Sequence, residues 1–217
     1  MAEVNPSSWS YPTSFKELYT YVNIYDTNIH IFLVLMWAPV FFNVILRTEH
    51  RTRFLTKLFG SPELACVALS IPQFLFITIF RFICFTKIVT AHPRIETPFN
   101  EYLEYLETGL WLIGTTLVLS SSYRLGWIGL WHGDHFGILF SEKLTGFPFD
   151  VCDHPMYTGS KINYIAYIIG NRSIVGALLF CVLLLVYVVN EGLEGRFTEM
   201  IYAERAASKA NGSKKVK

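Results

Sequence analysis

"HPMYTGSKINYIAYIIGNRSIVGALLFCVLLLVYVVNEGLEG", residues 154–195, decides the fold. Ser173–Asn190 holds no Asp, Glu, Lys or Arg, and its length approaches the about 20 apolar residues that cross about 30 Å of hydrocarbon. The run before it, Met156–Gly170, has 15 residues, or about 22 Å of helix at about 1.5 Å per residue. Its only charge, Lys161, lies near the start, where it can snorkel. "GNRS" between the runs reads as a turn, so residues 156–190 are expected to form a helical hairpin. A hairpin returns the chain to the face it left. The polar groups at His154–Gly159 and at Asn190–Tyr202 are therefore expected to meet at one membrane surface and line one pocket.

Outward from the hairpin, Asn28–Leu46, Leu64–Phe80 and Thr108–Tyr123 are three further runs free of Asp, Glu, Lys and Arg. Pro39 and Pro72 are expected to kink the first two. Of the 217 residues, 52% are hydrophobic and only 16% charged, against about a quarter charged in soluble domains. The fold class is an all-α, multi-pass membrane helical bundle of four to five membrane segments with a C-terminal hairpin. It is read as one domain over 1–217, with a polar N-terminal segment, 1–27, and a basic tail, 204–217.

Lysine and arginine placement orients the bundle. The connection after the first run carries Arg47, Arg51, Arg53 and Lys57 against Glu49; that after the second carries Glu96, Glu101, Glu104 and Glu107 against Lys87 and Arg94. Five segments put the first connection and the tail in the cytosol and the acidic connection in the lumen. The N-terminus lacks the pattern of a cleaved signal peptide. "KKVK" at the end is similar to a dilysine retrieval signal, with a solvated basic tail as the equal alternative. Net charge +1, with no basic patch among aromatics, gives no reason to expect nucleic acid. Four scattered cysteines without CxxC spacing suggest neither disulfides nor zinc.

Four polar groups lie near the hairpin ends: His154 and Tyr157 at its start, and Glu191 and Glu194 just past it. Carboxylates beside hydrocarbon are functional candidates; the alternative is a capped helix start and solvated interfacial charges. "RLGWIGLWHGDHFGILF" (Arg124–Phe140) sets four glycines among Trp127, Trp131, His132, Asp134 and His135. It is no GxGxxG fingerprint and follows no strand, so a Rossmann domain is not expected. His132 and His135 beside Asp134 suggest a metal only weakly, and none is expected.

"APVFFNVILRTEHRTRFLTKLFGSPELAC" (38–66), "LVLSSSYRLGWIGLWHGDHFGILF" (117–140), "HPMYTGS" (154–160) and "EGRFTEMIYAERA" (194–206) together strongly resemble the phosphatidylethanolamine N-methyltransferase family, from about Ala38 to Arg205. The resemblance implies a methyltransferase that uses S-adenosylmethionine on a phospholipid in the bilayer. Its expected products lead from phosphatidylethanolamine through the mono- and dimethylated forms to phosphatidylcholine. The endoplasmic reticulum membrane is the implied location, a mitochondrial membrane the second, with the C-terminus cytosolic. The family's short GxG cofactor motif corresponds to Leu112-Ile113-Gly114, which lacks the first glycine. Its paired glutamates correspond to Glu194-Gly195, with Glu191 one turn earlier as a possible substitute. The expected cofactor residues are thus Leu112, Ile113, Gly114, His154, Tyr157, Gly159, Glu191, Glu194 and Gly195. Removing a proton from the substrate ammonium falls to Glu194, Asp134 or His135, among which the sequence does not choose. Isoprenylcysteine carboxyl methyltransferases, NADPH-dependent sterol reductases and a silent membrane scaffold are the alternatives.

Overall fold

The computed structural model describes Pro12 and residues 14–141 and 144–214. The N-terminal stretch up to Tyr11 and the last lysines of the carboxyl-terminal pattern lie outside the described residues. Among the described residues the architecture is helical, with one isolated bridge between Arg94 and Ser173.

A short helix, α1 (Phe15–Tyr21), precedes α2 (Thr27–Leu35). Asp26 starts α2 by accepting the amide of Asn28 at 2.8 Å, which satisfies a donor that has no partner within the helix. α3 (Ala38–Thr52) follows after Met36 and Trp37, and Pro39 falls in its first turn. A missing N–H costs nothing there, so Pro39 marks the joint of the two helices instead of kinking one. Arg53 closes α3 in the left-handed region (φ 56°) and opens α4 (Phe54–Phe59). The fully buried Glu49 holds this corner, accepting from the amides of Leu55 (2.6 Å) and Thr56 (3.2 Å).

α5 (Pro62–Gln73) starts on Ser61, which accepts the amide of Leu64 at 3.1 Å. Past Pro72 the ladder widens to π-type turns over Phe74–Phe80, then resumes as α6 (Arg81–Ala91). Proline lacks the donor that α-helical register requires, and the widened turn absorbs the defect. The second apolar run was expected to end at Phe80. Its helix continues to Ala91, which places Lys87 in the helix and buries Arg81 inside the bundle.

The third run is the middle of α7 (Asn100–Leu130), so Glu101, Glu104 and Glu107 ride on a helix and not in a connection. Its one break is Gly126, with φ 62° and ψ 173°, a combination open to glycine. α8 (Pro155–Asn171) and α9 (Ile174–Lys214) form the expected hairpin, reversed at Arg172 (φ 51°). α8 lies against α7 through facing glycines. A Cβ on Gly114 would come within 2.7 Å of the Gly159 carbonyl, and one on Gly159 within 2.9 Å of the Leu117 Cβ. Small residues bring helix backbones this close.

Phe32, Met36, Phe85, Ile88, Tyr164, Leu183 and Tyr187 form a core where α2, α6, α8 and α9 meet. Phe41, Val44, Ile71, Leu112, Leu185 and Val188 face outward, an arrangement that suits lipid and not water. Thr27–Thr52, Pro62–Ala91 and Ile174–Ala207 are long and apolar enough to cross a membrane.

Candidate active site

Between α3, α5, α6, α7, α8 and α9 lies an open cavity of about 1190 Å³. Its polar wall comes from both ends of the hairpin. His154 is the N-cap residue of α8, yet its side chain makes no capping bond and lines the cavity instead. Three residues later Tyr157 donates to Glu194 Oε2 at 2.7 Å. Asn190, one turn before Glu194 on α9, donates to Glu194 Oε1 at 2.6 Å and to the Tyr157 hydroxyl at 3.0 Å. Asn43 of α3 in turn donates to Asn190 Oδ1 at 3.0 Å. His132 Nε2 stands 3.7 Å from Glu194 Oε1. Glu194 is thus held from three sides, and hydrogen bonds offset part of the cost of desolvating a carboxylate.

The turn after α7 brings in a second carboxylate. His132 adopts φ 62° and Gly137 φ 86°, bracketing a tight turn over Gly133–Phe136. Asp134 accepts from His135 Nδ1 (3.0 Å) through one oxygen and from Thr198 (2.8 Å) through the other. Burial works against ionising Asp134. The His135 hydrogen bond and charge, with His132 and Thr198, outweigh it and hold the carboxyl down at about 2. Burial also pushes the His135 imidazole below its ordinary 6.5, against the pull of Asp134. At neutral pH the pair therefore rests as a carboxylate accepting from a neutral ring. That ring is fully buried and stacks on Phe197 at 4.6 Å.

The structure brings His154, Tyr157, Glu194, Gly195 and Asp134 to the cavity wall. Other expected residues lie elsewhere. Leu112 and Ile113 are 57% and 55% exposed on the outer face of α7. Gly114 and Gly159 press against each other's helices, so their lack of a side chain serves the α7–α8 contact. Glu191 pairs with Lys161 at 2.9 Å, off the cavity, and does not stand in for a second carboxylate. His135 sits behind the wall, acting on Asp134. Gly195 has open space where a Cβ would project.

Asn43, Gln73 and Arg81 line the cavity without having been singled out in the sequence, and the bonds of Asn190 and Thr198 and the contact of His132 with Glu194 appear only in the fold. Asn43, Gln73 and Asn190 were polar residues inside runs judged only by their lack of charge. Each is at least nine-tenths buried here, and burial of unpaired amides is costly enough to have been the signal. His132, Asp134 and His135 bring ligand-type atoms within 4.8 Å of one another. Both Asp134 oxygens are already engaged by His135 and Thr198, and His132 faces Glu194.

Fold and site define a multi-helix membrane protein that carries a polar, carboxylate-bearing cavity between its helices. Residues 104–205 match the family model described as phospholipid methyltransferase. Phosphatidylethanolamine N-methyltransferase of Homo sapiens is 39% identical over 81% of this chain and 87% of its own length. Its Rattus norvegicus counterpart is 41% identical over 80% and 87%. Phosphatidyl-N-methylethanolamine N-methyltransferase of Saccharomyces cerevisiae is 34% identical over 81% and 85%. No solved structure matches. The chain belongs to the phospholipid methyltransferase family and is an enzyme of that class.

Proposed function

We propose that the protein transfers methyl groups from S-adenosylmethionine to the amino nitrogen of phosphatidylethanolamine and of its mono- and dimethylated forms, yielding phosphatidylcholine. The observation that carries this reading is Glu194, an ionisable carboxylate fixed by Tyr157 and Asn190 inside a cavity walled by apolar helices. Both reactants are cations before reaction, and a preorganised carboxylate in a low-dielectric site attracts both.

The cavity suits such a cofactor. Glu194 and Asp134 supply negative charge, and the rings of Trp131 and Tyr202 line the same space. Trp131 also has a buried indole N–H without a partner among the described residues. His154, Tyr157 and Glu194 would hold the cofactor, which supplies an electrophilic methyl group on a sulfonium. Glu194 orients the substrate ammonium toward that methyl, because proximity and alignment lower the barrier to in-line displacement. The ammonium must lose a proton to expose its lone pair. His132, 3.7 Å from Glu194 and partly exposed, accepts it and passes it to solvent. Asp134, with its carboxyl at about 2, is a weak base at neutral pH. Its part, with His135 behind it, is to set the electrostatics of the turn that carries His132.

We place the protein in the endoplasmic reticulum membrane with five crossings, α7 and α8 completing the three long apolar helices, and with a cytosolic C-terminus. Purified protein incubated with labelled adenosylmethionine and separate lipids tests the activity. Label is expected in the headgroups of phosphatidylethanolamine and its methylated forms. Label only in an isoprenylcysteine acceptor, or in none of them, would refute the proposal.

A further inference from the structure

Arg81 lies within the long apolar helix Pro62–Ala91, is only 5% exposed and lines the cavity. Nη2 donates to the Tyr187 hydroxyl at 3.0 Å, and the guanidinium sits 5.4 Å from the centre of that ring. Tyr164 stands beside it. Among the described residues Nε and Nη1 have no hydrogen-bond partner, and no carboxylate lies within ion-pair distance. Gln73, 1% exposed, lines the same cavity with both its amide oxygen and its amide nitrogen unpartnered. The two residues flank the π-type turns Phe74–Phe80, a distortion often found where a helix serves a site.

A buried guanidinium without a counter-charge costs several kcal/mol, and ionisable groups at this depth mark ligand sites. Aromatic rings soften the cost without removing it. An anion completes the site. Its relation to Glu194 indicates which one. Tyr187 lies two turns before Glu194 on α9, and its ring packs at 5.3 Å against Tyr157, whose hydroxyl bonds Glu194. The cavity therefore has a negative pole at Glu194, bonded to Tyr157, and a positive pole at Arg81, bonded to Tyr187. A zwitterionic lipid headgroup has the matching order, an ammonium joined through two carbons to a phosphodiester.

We propose that Arg81 and Gln73 form the phosphodiester subsite of the phospholipid, with the phosphate at the Arg81 pole and the amine at Glu194. Arginine's planar fork of donors suits phosphate oxygens, and the Gln73 amide supplies a neutral donor beside it. This rests on the proposed lipid methylation, and binding measurements separate the two.

The test uses the purified full chain in detergent, a short-chain phosphatidylethanolamine, and the same lipid with its phosphate methylated to an uncharged triester. Calorimetry is expected to show the diester binding at least tenfold tighter than the triester. Arg81→Gln should abolish that preference and raise the lipid KM about tenfold, leaving kcat and the adenosylmethionine Kd within about twofold. Equal binding of both lipids to the unaltered protein overturns the proposal. So does a variant that loses adenosylmethionine affinity but keeps the lipid preference, since Arg81 would then hold the cofactor's carboxylate. If Arg81→Gln does not fold, Gln73→Glu replaces it and should weaken the diester about tenfold and spare the triester; equal effects on both overturn the idea. Diester preference that depends on Arg81 in a protein methylating no lipid would sink the methyltransferase reading and leave the subsite standing.

Discussion

Glu194→Gln exchanges the charge at the centre of the cavity for an amide of the same shape. The carboxylate accepts from Tyr157 at 2.7 Å and Asn190 at 2.6 Å, with His132 at 3.7 Å. In the variant the amide oxygen keeps one of these donors, while the amide N–H₂ faces another donor. A hydrogen bond to a charged group contributes about 1.5–3 kcal/mol, so a bound cation that loses the carboxylate should bind roughly ten- to a hundredfold more weakly. Stability should change little, because removing a desolvated charge offsets the bonds lost with it. Calorimetric titration with adenosylmethionine and with adenosylhomocysteine locates the contact, since only the former carries a sulfonium. A loss confined to adenosylmethionine places Glu194 at the sulfonium, and equal losses place it at the ammonium or ribose that both share. Glu191→Ala is the control, since its carboxylate pairs with Lys161 outside the cavity. Affinities of Glu194→Gln within twofold of the parent for both ligands would refute its contact with the cofactor.

Gly195→Glu should tighten adenosylmethionine about tenfold by titration, because the new side chain enters open space in the cavity wall and adds one charged acceptor; a glutamate also suits a helix interior better than glycine. Gly114→Val should lower unfolding stability in detergent by about 1–3 kcal/mol through overpacking against α8, with the cofactor Kd of the folded fraction unchanged; a tenfold loss of affinity would return Gly114 to the site. His154→Asn should cut turnover without lowering the thermal midpoint, since the imidazole makes no capping bond, and full activity would count against it. Stability should fall in two steps on acidification. His135, depressed in the fold, leaves the unfolded chain to bind a proton first below about pH 6.5. Asp134 does the same between about pH 4 and pH 2. Thermal midpoints against pH should show the first step disappear in His135→Phe.

The sequence determined the helical class, the hairpin over residues 156–190 and the meeting of His154, Tyr157 and Glu194. These follow from composition, run length and a turn signal, which are local along the chain. Hydrocarbon allows so few backbone arrangements that local signals suffice. The extent of helices was less legible: Arg81 and the glutamates at 101, 104 and 107 looked like boundaries, because charge ends an apolar run whether or not the helix continues. Which face a residue presents was decided only by packing. Glu191 and Glu194 are neighbours in sequence, yet one turns to Lys161 and the other to Tyr157. Gly114 and Gly159, 45 positions apart in the numbering, press their helices together, whereas Gly195 opens onto the cavity. A glycine looks the same in sequence whether its missing side chain admits a helix or a ligand, and only the neighbouring elements distinguish the two.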